Sequence, residues 1–125
     1  MRQIEGTMML QACYEKMGGD YAEVLARLGN VERIEKYVVK FLEDPTYQML
    51  CEAKAAGDDK AVFLQIHTLK GVSQNLGFKN LYRASYEMTE AVRGGVPLYD
   101  ERLFATVTEA YNETVVTIKQ YAKIV

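Results

Sequence analysis

Tryptophan is absent from this chain, histidine occurs once, and the 125 residues hold only two prolines and two cysteines. Each scarcity excludes something. Two cysteines cannot staple a disulfide scaffold, and Cys13 and Cys51 have no metal-ligand spacing. Both fall in helical patterns and are read as reduced core residues of a cytoplasmic protein. One histidine without a convergent acidic pattern argues against a metal- or haem-binding bundle. No apolar run approaches the roughly 20 residues that a membrane span needs, and Met1-Arg2-Gln3-Ile4-Glu5 lacks the apolar segment of a signal peptide. A formal charge of −2 offers no cationic excess for neutralising nucleic-acid phosphates. There is no G-x-x-x-x-G-K-[ST] loop and no acidic cluster with magnesium spacing beside the histidine, so no nucleotide, cofactor or metal site of its own is expected. What remains is ordinary for one globular domain: 49% apolar and 26% charged residues.

With so few breakers, the punctuation is readable. Thr7 caps a helix running to Met17, which Gly18-Gly19 stops. Asp20 caps a second short helix ending at Leu28, with Gly29 just beyond. Val31 to Glu43 carries Val31, Ile34, Val38 and Phe41 at helical spacing, and Asp44-Pro45 reads as an N-cap with proline at the first helical position. The helix that follows turns Tyr47, Leu50 and Cys51 inward and ends near Gly57. Asp58 or Asp59 opens a helix that stops at Gly77. Phe78-Lys79-Asn80 then connects to a helix with Leu81, Ala84, Met88 and Ala91 on one stripe. After Gly94-Gly95 and Pro97, the last helix keeps Phe104, Val107, Tyr111, Val115 and Ile118 in register. No segment alternates as a strand does. The expectation is an all-α chain forming one domain over 1–125. Residues 31–125 make an antiparallel up-down four-helix bundle, and the short helices of 1–30 cap one end.

The single histidine, His67, lies within His67-Thr68-Leu69-Lys70-Gly71-Val72-Ser73-Gln74-Asn75-Leu76-Gly77. At about 100° per residue, Phe63, Lys70, Gly71 and Gln74 fall within roughly 60° of it on the helix. Val62, Ile66, Leu69, Val72, Ser73 and Leu76 form a core stripe on the far side. Gln65 intrudes near the middle of that stripe, and nothing in the sequence explains it. A lone helical histidine is by itself most often a plain surface or core residue. Gly71, however, costs the helix about 1 kcal/mol relative to alanine, and placing it beside an exposed imidazole wants a reason.

These residues resemble the signature of histidine-containing phosphotransfer (HPt) domains, H-x-L-K-G-x-S-x-x-L-G. They are similar also to the phosphotransfer domain of chemotaxis histidine kinases. The likeness extends upstream through Ala61-Val62-Phe63 and downstream through Phe78 and Leu81 to near Arg93, while the N-terminal third matches only as generic helix. The resemblance implies a phosphoryl carrier rather than an enzyme. His67 is the acceptor, Lys70 the cation beside the phosphoryl oxygens, Gly71 the clearance for an incoming active site, and Gln74 a hydrogen-bond donor to the phosphoryl group or the ring. Neutral imidazole, with an ordinary pKa of about 6.5, keeps one lone pair free for attack. Partners are expected to be a response-regulator receiver domain, a histidine kinase, or both. They would dock on Phe63, Leu64, Phe78 and Lys79, with no nucleic acid and no membrane involved. The start at methionine suggests a free-standing module, and a monomer is expected. The alternative is a non-catalytic helical adaptor of the same fold that binds partners without being phosphorylated, a role that gives His67, Lys70 and Gly71 no reason to be present together.

Overall fold

The computed structural model describes residues 10–124. Among them every regular element is helical. Helix α1 covers residues 10–16, α2 Tyr21–Leu28 and α3 Val31–Lys40, which tightens into one 3-10 turn at Phe41–Glu43. Then come α4 (Thr46–Ala55), α5 (Asp59–Leu76), α6 (Lys79–Ala91) and α7 (Glu101–Ile124). The cap expected at Thr7 lies outside the described residues. No helix among those described is long and apolar enough to cross a membrane.

The helix boundaries follow from local chemistry. Asp20 accepts a hydrogen bond from the Glu23 N–H at 3.2 Å, Asn30 from Arg33 at 2.8 Å and Asp58 from Ala61 at 3.1 Å. Each satisfies one donor that a first helical turn leaves without a partner, a contribution of about 1 kcal/mol. Asp44 accepts from the Thr46 N–H at 2.9 Å across Pro45, whose φ of −85° is already near-helical, so α4 starts where the Asp-Pro pair sets it. Helix α6 differs slightly from expectation: it begins at Lys79 rather than Asn80, and near its end the buried residue is Val92, with Ala91 exposed.

The end of α5 is the most constrained junction. Gly77 sits at φ +74°, its N–H reaches the Gln74 carbonyl at 3.2 Å, and the Phe78 N–H reaches Ser73 at 2.9 Å. That pair of bonds is a Schellman motif. A Cβ on Gly77 would lie 2.2 Å from Cγ2 of Val24 in α2, so this position needs glycine both for its dihedral and for its neighbour. From α1, the Tyr14 hydroxyl donates to the Leu76 carbonyl at 2.7 Å. From α2, Arg27 donates to the carbonyls of Gln74 (3.3 Å) and Asn75. The two short N-terminal helices thus close over the carbonyls at the C-terminal end of α5.

Helix α5 packs between α4 and α6, and α6 packs on α7. Helices α4 and α7 meet through Tyr47, which stacks on Tyr111 (4.0 Å between centroids, 13° between planes) and whose hydroxyl lies 2.9 Å from Oγ1 of Thr108. Lys54 adds an ion pair to Glu101 at 2.8 Å and covers the Phe104 ring at 4.8 Å. The core runs continuously through these contacts, with Ile34, Leu50, Ile66, Leu69, Met88 and Ile118 fully buried.

Candidate functional site

Helix α5 separates cleanly into two faces. Val62, Ile66, Leu69, Ser73 and Leu76 are buried, as the spacing predicts, whereas Val72 is only half-buried. The buried Ser73 hydroxyl donates to the Leu69 carbonyl at 2.8 Å, so no polar atom is stranded there. Gln65 is half-buried at the edge between the faces.

On the other face His67 stands exposed at the midpoint of the 18-residue helix, with Thr68, Gly71 and Gln74 also exposed. One turn earlier the Phe63 ring lies parallel to the imidazole, 5.9 Å between centroids and 3° between planes. Such offset stacking is a favoured aromatic geometry. It walls the imidazole on one side and leaves the other side open. One turn later, an added Cβ on Gly71 would find no atom within 4 Å, so the space above the helix belongs to solvent. Leu64, at 58% exposure, is the most exposed large apolar residue of α5.

One expectation needs correction. Phe78 presents no surface at all: it is fully buried, 5.2 Å from Phe41 in an edge-on pair and 5.9 Å from Tyr14. The cause is the Schellman motif, which turns the residue two places beyond the helix end back toward the core. Phe78 therefore cannot take part in docking as expected. Lys70 is on the expected side of the helix, but its ammonium lies 5.7 Å from the centre of the Tyr86 ring, leaning toward α6. Lys79, past the end of α5, is exposed, with Glu23 of α2 3.8 Å from its ammonium.

The structure thus gathers Phe63, Leu64, His67, Lys70, Gly71 and Gln74 on one helical face and removes Phe78 from it. Two residues that the sequence reading missed stand at its margins. Tyr86 follows Tyr82 by one turn on α6, their rings 6.1 Å apart, and that repeat was the available signal. Arg27 gave none, because its partners are backbone carbonyls 47 and 48 residues away. Among the described residues no three His, Cys, Asp or Glu side chains converge on a point.

A family model described as Hpt domain matches residues 20–117, most of the chain, from the α2 cap into the last third of α7. Neither the curated proteins nor the solved structures yield a significant match.

Proposed function

Since the chain belongs to the Hpt domain family, we propose that it carries a phosphoryl group on His67 between an aspartate receiver domain and another component of a two-component relay. The observation that carries this reading is the access to His67. It is the chain's one histidine, exposed at the middle of α5, walled by Phe63 and followed one turn later by open space above Gly71.

In the proposed step, the ring nitrogen bearing the lone pair attacks the phosphorus of the receiver's acyl phosphate. The N–P bond forms as the P–O bond to the aspartate breaks. The carboxylate leaves with that electron pair, and the proton on the other ring nitrogen exchanges with solvent. Such transfer depends on alignment and charge stabilisation more than on covalent help from the carrier. Any metal ion and acidic residues are assigned to the receiver. On this side Lys70 is assigned to the phosphoryl charge, Gln74 to a hydrogen bond, and Phe63 and Leu64 to the docking surface with Lys79 at its rim.

We read residues 31–125 as the antiparallel four-helix bundle expected from the sequence, with α3 and α4 together supplying one member beside α5, α6 and α7, 1–125 as one domain, and the protein as a cytoplasmic monomer. The test is incubation with a phosphorylated receiver domain followed by an acid-labile phosphate assay. Wild type should acquire label. His67→Gln should keep its helical content, since an exposed substitution usually changes stability by under about 0.5 kcal/mol, and should acquire none. Label on that variant, or none on wild type with any receiver of the source organism, would exclude the mechanism.

A further inference from the structure

The ammonium of Lys70 has an aromatic neighbour. It stands over the Tyr86 ring, on the neighbouring helix, 5.7 Å from the ring centre. Tyr86 is itself supported by Tyr82 one turn before it, while 45% of its surface stays open to solvent. One turn further along α6, Glu90 is held below the ordinary carboxylate range, chiefly by its hydrogen bond to Arg93 and to a smaller degree by the charge of Lys70. Both neighbours draw the lysine toward α6. The cation therefore rests against α6.

We propose that Tyr86 is a positioning residue that parks the Lys70 ammonium while His67 is free and releases it when His67 carries a phosphoryl group. The inference rests on the phosphotransfer reading given above. Its thermodynamic sign is fixed. A contact made only in the unphosphorylated state stabilises that state, so the aromatic face opposes phosphorylation by the strength of the cation–π contact. Removing the face should shift the phosphorylation equilibrium toward phosphohistidine by about two- to fivefold, the factor corresponding to a cation–π contact at an exposed site. Tyr86 thus sets how readily the carrier gives up its phosphoryl group. Lys70 and Gly71 alone do not determine that property.

The test needs no identified partner. Phosphoramidate serves as donor: its P–N bond breaks, ammonia leaves, and the new N–P bond forms on the imidazole. At fixed phosphoramidate and ammonium concentrations, the phosphorylated fraction is compared for wild type, Tyr86→Phe, Tyr86→Leu, Lys70→Ala and the double variant Lys70→Ala/Tyr86→Leu, each checked for helical content. Tyr86→Phe keeps the ring face and should match wild type. Tyr86→Leu should show the two- to fivefold gain, and that gain should vanish in the Lys70→Ala background.

Nuclear magnetic resonance supplies a readout that a merely structural role does not move. The side-chain methylene protons of Lys70 should be shifted upfield by the Tyr86 ring in unphosphorylated wild type and Tyr86→Phe, but not in Tyr86→Leu, and the shift should collapse on phosphorylation. Failure of wild type to accept a phosphoryl group from either phosphoramidate or a receiver overturns the phosphotransfer reading, and this inference with it. A phosphorylated wild type whose Lys70 shift is unchanged, or a Tyr86→Leu gain that persists without Lys70, overturns this inference alone.

Discussion

Phe78→Ala tests the largest revision the fold makes to the sequence reading. If Phe78 lined a docking surface, truncation would leave the fold intact and weaken a partner. The structure gives the opposite expectation, because the side chain is fully buried between Phe41, at 5.2 Å, and Tyr14, at 5.9 Å. Truncating a buried phenylalanine costs about 3–5 kcal/mol in transfer and cavity terms. The two aromatic contacts add about 0.5–1.5 kcal/mol each, part of which those figures already include, so about 4–5 kcal/mol is expected. That is a large fraction of the roughly 5–15 kcal/mol by which a domain is stable. With a urea slope near 2 kcal/mol per molar, the midpoint should fall by about 2 M. Phe78→Leu keeps most of the apolar volume and should recover more than half of the loss. The assay is urea unfolding followed by far-ultraviolet circular dichroism, with Leu64→Ala as the surface control. A loss under about 1 kcal/mol for Phe78→Ala would refute the placement of this ring in the core.

Further outcomes follow from the same structure. Gly71→Ala should stabilise the protein by about 0.5–1 kcal/mol in thermal unfolding, because a helical glycine with nothing near its missing Cβ only weakens the helix; Gly71→Gln should slow phosphotransfer in a timed receiver assay while keeping the fold. Gly77→Ala should cost about 2–4 kcal/mol in chemical unfolding, combining left-handed strain with the overlap on Val24. Stability should fall in alkali: burial pushes the Cys13 thiol up to about 11 from 9.0, and Tyr14 is raised above 10.0 by burial too. Groups raised on folding bind more protons in the native state, so their contribution is intact below about pH 9 and is lost as pH climbs through 11; Cys13→Ala should flatten the early part of that decline in urea midpoints measured from pH 8 to 11.

Much of this protein is local and was therefore readable along the chain. Asp20 and Asp58 cap helices, and Gly29 and Gly77 end them, because a cap bond or a positive φ involves neighbours within a few residues. The two-faced pattern of α5 put Val62, Ile66, Leu69 and Leu76 inside and His67 outside, since helical periodicity alone separates them. What the tertiary structure decided lies where periodicity has no say. Phe78 sits in a connection, outside any repeating pattern, and its direction came from the turn before it and from its packing against Phe41 and Tyr14. Lys70 is a long flexible side chain whose position along the helix was fixed, but whose charge could settle only once α6 brought Tyr86 beside it. Arg27 found the carbonyls at the end of α5 for the same reason: they lie 47 and 48 residues away, and only packing brings them within reach. The sequence determined which residues share a helical face; the packing of the helices determined what each long side chain on that face touches.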